Sequence, residues 1–120
     1  MSKIINTTTD RGIYEASTFE FTPITEKEFS ADVSGASEPI TLIVDTTSDK
    51  SNEYSLTLIS LNGKKKSIPL AVGSLNVIRL TTYGYKKDDG YMDFEISGNA
   101  SLASAGIKVA VLKYTPVVNN

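Results

Sequence analysis

The sequence predicts an all-β protein: a single-domain antiparallel β-sandwich, immunoglobulin-like or jelly-roll-like, with an extended N-terminal arm. Three observations lead there. Apolar and polar residues alternate with period two over short segments, turn residues punctuate them regularly, and no window keeps a helical period. The alternation is clearest in residues 75–114. Residues 75–82 carry Leu75, Val77, Ile78 and Leu80, and residues 91–97 set Met92, Phe94 and Ile96 against Tyr91, Asp93 and Glu95. Residues 107–114 set Ile107, Val109 and Val111 against Lys108, Ala110, Leu112 and Tyr114. The stretch reads as three consecutive strands.

From the N-terminus, residues 1–12 are polar except for Ile4 and Ile5 and are expected to form the arm. A dozen extended residues span roughly 40 Å, enough to lie across a neighbouring subunit. The sandwich is expected over residues 13–120. Residues 13–22 alternate up to Pro23, a pattern that buries Phe19 and Phe21 and leaves Glu20 in water. Residues 28–33 place Phe29, Ala31 and Val33 on one face, and the apolar run Ile40-Thr41-Leu42-Ile43-Val44 suits the middle of a sheet. After a polar loop at 45–52, residues 53–61 alternate again and Asn62-Gly63 signals a hairpin. The returning strand carries Lys64, Lys65, Lys66 and Pro69, as an edge strand protected from recruiting another sheet would. In the next loop Asp89-Gly90 supplies the positive φ of a reversal, and Gly98-Asn99-Ala100 and Ala105-Gly106 bracket a loop of small residues. Turn signals at these spacings give about eight short strands.

Composition excludes more than it suggests. The 120 residues include no Cys and no His, which removes disulfides, thiolate or imidazole catalysis and His- or Cys-ligated metal sites. A chain of this length buries roughly 65% of its unfolded surface and folds without staples. A formal net charge of −2 offers no general attraction for nucleic acid or an anionic membrane, so neither is an expected partner. The opening Met1-Ser2-Lys3-Ile4-Ile5-Asn6 has no apolar run of signal-peptide length, and no segment approaches the ~20 apolar residues of a membrane span. Synthesis in the cytoplasm is therefore expected.

The candidate sites are few. Asp45, Asp49 and Glu53 offer oxygens, but their spacing is wider than that of a calcium loop and a solvated loop is the better reading. Asp93 and Glu95 stand about 7 Å apart on one strand face, which an ordinary solvent face produces as readily as a glycosidase pair. No enzyme, metal or cofactor is expected. Tyr83, Tyr85 and Tyr91 gather around Lys86-Lys87, a composition that suits a protein contact better than nucleic acid at this net charge. Ile4, Ile5 and Tyr14 are the contact residues expected of the arm, with Tyr83, Tyr85 and Tyr91 as a second patch.

The segments Ala71-Val72-Gly73-Ser74-Leu75-Asn76-Val77-Ile78-Arg79-Leu80, Gly90-Tyr91-Met92-Asp93-Phe94-Glu95-Ile96-Ser97-Gly98 and Ile107-Lys108-Val109-Ala110-Val111-Leu112, with the polar N-terminus, resemble the small all-β structural proteins of tailed bacteriophages. The type is the head decoration, or cement, protein. The resemblance lies in short Thr/Ser-rich strands without Cys or His and in small-residue turns. It implies a non-enzymatic virion protein made in the host cytoplasm and bound to the capsid exterior, stabilising it. Its partner would be the major capsid protein lattice, with a homo-oligomer such as a trimer on the shell. The alternatives are a glycan- or cell-surface-binding module of a phage appendage, and a tail or head-completion subunit.

Overall fold

The computed structural model describes residues 3–10 and 20–114. In chain order its elements are β1 (Lys3–Ile5), β2 (Thr7–Asp10), β3 (Thr22–Pro23), β4 (Glu28–Asp32), β5 (Ser37–Asp45), β6 (Tyr54–Ile59), β7 (Lys65–Pro69), β8 (Leu75–Leu80), β9 (Tyr91–Gly98), the helical turn α1 (Leu102–Ala105) and β10 (Lys108–Tyr114). They form two five-stranded sheets packed as a sandwich. The first has the order β1-β4-β9-β6-β7; the second runs β2-β10-β5-β8, with β3 also on β10.

The alternation in the sequence decides what the layers enclose. Phe29 and Ala31 of β4, Leu56 and Leu58 of β6, and Met92, Phe94 and Ile96 of β9 point inward from the first sheet. Ile40, Leu42 and Val44 of β5 and Val109 and Val111 of β10 meet them from the second. Across the β4–β9 ladder Phe29 and Phe94 are register partners, and their rings stack with centroids 5.1 Å apart. The Asn62-Gly63 hairpin forms as expected, with Gly63 at φ +80°, and joins β6 to β7 at the edge of its sheet. β5 runs between β10 and β8, where its apolar run is covered on both sides.

Two expectations need correction. The segment expected as an arm reaching a neighbouring subunit is extended, but its residues 3–10 are built into the body. Lys3, Ile4 and Ile5 pair in parallel with Phe29, Ser30 and Ala31; past Asn6 the chain changes sheet and residues 7–10 pair in parallel with residues 111–114. Both sheets are therefore mixed, and two strands otherwise left as open edges gain hydrogen-bond partners. The three consecutive strands expected in residues 75–114 form as β8, β9 and β10, with β8 and β10 in one sheet and β9 in the other. Most of the strand expected over 13–22 lies outside the described residues. Its end, β3, pairs Thr22 with Val109, and Phe21 is 36% exposed instead of buried. Val109 points into the core, so the residue before Thr22 falls on the opposite parity and faces out.

Gly98 shows how closely β6 and β9 approach within their sheet. A Cβ there would collide with the ring of its register partner Tyr54 and with the Glu53 carbonyl. Gly98→Ala is expected to displace Tyr54 and lower the melting temperature. Phe94→Ala, which empties half of the stacked pair, is expected to destabilise the fold by about 3–5 kcal/mol in urea unfolding.

Candidate functional site

The β6–β7 hairpin and the loop between β8 and β9 meet at one end of the sandwich. The Leu61 N–H donates to the Gly84 carbonyl at 2.9 Å, and the amides of Tyr85 and Lys86 return to the Thr82 carbonyl at 3.0 and 2.9 Å, closing a tight turn. This arrangement lifts Tyr83 and Leu61 into solvent, 88% and 59% exposed. Around them run a depression of about 480 Å³, lined in part by Lys64, Lys65, Lys66 and Tyr85, and another of about 620 Å³ reaching Ala36 and Lys86. Lys65 turns its amine to Glu95, 3.2 Å away on the outer face of the first sheet. The end of the molecule is thus aromatic and basic although the chain is acidic overall.

A third depression, of about 280 Å³, opens on the outer face of the first sheet between Ile4, Ser30, Lys87, Asp89, Tyr91 and Asp93. Ser30 donates its hydroxyl to Asp93 at 2.7 Å, and Lys87 bridges Asp93 at 3.1 Å and Asp89 at 3.8 Å. The hydrogen bond from Lys87 to Asp93 holds the amine above its ordinary pKa. Asp93 and Glu95 share this face as expected, but each is committed to a different lysine.

The polar loop after β5 is held by its own carboxylates. Asp45 accepts from the Thr47 amide at 2.8 Å and hydroxyl at 2.6 Å. Asp49 accepts from the amides of Ser51 and Asn52, from the Asn52 side chain and, at 2.6 Å, from the Tyr54 hydroxyl. Both oxygens of Asp49 are thus engaged within the loop. Among the described residues no group of three or more His, Cys, Asp or Glu is placed to hold a metal.

The outer face of the second sheet carries an apolar stripe, bordered by Thr41, Asp45, Arg79 and Lys108. Leu75 and Val77 of β8 are 58% and 64% exposed; beside them lie Ile43, Ala110 and Leu112, with Phe21 at the far side. Sequence reading did not single out this surface. Its signal was there, in that β8 is apolar on both faces: Ile78 and Leu80 turn inward while Leu75 and Val77 turn outward.

Of the expected contact residues, Tyr83 and Tyr85 share the basic end, with Tyr85 half-buried against the core. Tyr91 stands apart from them, in the depression with Ile4, which is 64% exposed. Ile5 is 2% exposed and belongs to the core, because the parity that turns Ile4 outward turns Ile5 inward. Tyr14 lies outside the described residues. Comparison with family models, with curated proteins and with solved structures finds no match.

The Asp49–Tyr54 bond makes the loop sensitive to pH at both ends of the scale. Hydrogen bonds, first that from Tyr54, hold the Asp49 carboxyl far below its usual range. Its contribution to stability is present above about pH 4 and is lost as the pH falls towards the folded-state value. Burial first, and then Asp49, pushes the Tyr54 hydroxyl from 10.0 up to about 12, so its contribution is lost as the pH rises through that interval. Thermal melts across pH are expected to show both losses, and Tyr54→Phe should flatten the alkaline one.

Proposed function

We propose that the protein is a non-enzymatic virion structural protein that binds the outer surface of a bacteriophage capsid and stabilises it. The observation that carries this reading is the basic, aromatic end: Leu61 and Tyr83 stand in solvent on short, hydrogen-bonded turns, ringed by Lys64, Lys66 and Lys86. A tyrosine with few rotatable bonds on a rigid turn loses little entropy on docking, and Tyr is enriched where protein surfaces meet. The lysines suit an acidic protein surface. The resemblance of the strand segments to phage head proteins supplies the lattice as partner.

Stabilisation needs no chemistry of its own. A protein that binds the expanded shell in preference to the unexpanded one shifts the equilibrium between them, and many copies add the effect over the lattice. Because residues 3–10 are edge strands of both sheets, the lattice contact is assigned to the loop end and not to an arm. The depression holding Ser30, Asp93, Lys87 and Tyr91 favours a second reading, a glycan-binding module, since it sets hydroxyl and carboxylate groups beside an aromatic ring.

The test is cosedimentation with expanded and unexpanded capsids. Saturable binding to the expanded shell is expected, with Leu61→Ala/Tyr83→Ala weakening it at least tenfold while the melting curve is unchanged. Binding to neither shell, together with retention on a glycan array, would replace this reading with the second.

A further inference from the structure

The two strands that border one side of the sandwich, β7 and β8, are treated differently. β7 carries exposed lysines and Pro69, which discourage pairing. β8 has no such guard. It is six residues long, in continuous register with β5, apolar at Leu75 and Val77, and charged only at Arg79.

The phase of the β5–β8 ladder determines which backbone groups its open edge presents. The Thr46 amide donates to the Ser74 carbonyl at 2.9 Å, so Thr46 and Ser74 face each other as a hydrogen-bonded pair. Pairs alternate along an antiparallel ladder, so Asn76, Ile78 and Leu80 bond to β5. The N–H and C=O groups of Leu75, Val77 and Arg79 therefore point away from it. Among the described residues β8 pairs with β5 alone.

We infer that this edge pairs with β8 of a second copy, antiparallel about a two-fold axis at Val77. Of the symmetric registers, this one engages all three outward residues, Val77 with its own copy and Leu75 with the partner's Arg79, twice. It also decides the charges. Leu75 is the register neighbour of Asp45 on β5, on the same outer face. The partner's Arg79 then lies two strand spacings from Asp45, roughly 10 Å between Cα atoms, within reach of an extended guanidinium. Symmetry repeats the contact, which an unrelated strand would not supply. On the outer face Val77 meets its copy with Ile43 beyond it on each side, so the exposed apolar stripe becomes continuous across the junction. The lysines of β7 keep the first sheets from joining on this side, which leaves the junction there to β8. A junction made by one six-residue strand edge buries little area and gives a weak, concentration-dependent dimer.

Sedimentation of the full chain over a range of concentrations, with amide hydrogen exchange at both ends of that range, tests this inference. The mass is expected to rise from 13.0 kDa towards twice that value. The amides of Leu75, Val77 and Arg79 should exchange freely in dilute protein and slow at least tenfold in concentrated protein. Val77→Lys and, separately, Arg79→Asp should each raise the dimer Kd at least tenfold, with melting in dilute solution unchanged because both side chains are exposed. A mass that stays at 13.0 kDa, a dimer indifferent to both substitutions, or a dimer whose three amides stay open would each overturn the inference.

Discussion

Parity along the strands is the constraint from which the rest of the structure follows. Two sheets facing each other leave each strand residue one of two environments, and successive residues take opposite ones. That rule places Phe29, Met92, Phe94 and Ile96 in a shared layer and gives Ile5 to the core while Ile4, its neighbour, faces out. It also compels Leu75 and Val77 to face solvent once Ile78 and Leu80 have turned inward. The exposed apolar residues of β8 are the necessary second face of a strand whose first face is needed inside.

Much of the fold was legible in the sequence because much of it is local. The hairpin at Asn62-Gly63, the lysine-rich edge, the inward residues of β4, β6 and β9 and the covered run in β5 each rest on a pattern a few residues long. What escaped reading depends on partners far away. Parallel pairing of residues 3–5 with β4 and of residues 7–10 with β10 leaves no turn signal, and a polar threonine run reads as a terminus until its partner is known. Likewise, nothing local says that β8, β9 and β10 alternate between sheets. The candidate surfaces divided in the same way. Tyr83 and Tyr85 are close in sequence and in space, whereas Tyr91 has crossed into a strand whose outer face it shares with Ile4.

The two outer faces are built for different surroundings. On the first sheet Ser30, Asp93, Lys87, Glu95 and Lys65 bond to one another across the strands, and Thr57 and Ser67 share a hydrogen bond at 3.0 Å. Such a surface is content in water. The second sheet offers a stripe of branched and aromatic side chains between Asp45 and Lys108 at one end and Thr41 and Arg79 at the other, and the basic end of the sandwich adds a third character. A body with separate polar, apolar and basic surfaces can meet more than one neighbour at once without those contacts competing for the same residues.

The position of β10 has a consequence for how the chain is made. It is the hub of its sheet, pairing with β5 along its length and with β2 and β3 on its other side, although among the described residues it is the last strand and β2 the second. While a ribosome is still threading the chain, β2 and β3 have nothing to join, and the second sheet stays open until the C-terminal segment has emerged. Pairings of such wide sequence separation are slow to close and leave unpaired edges exposed meanwhile. Closure of the second sheet therefore waits on residues 108–114, however early β2 and β3 are made.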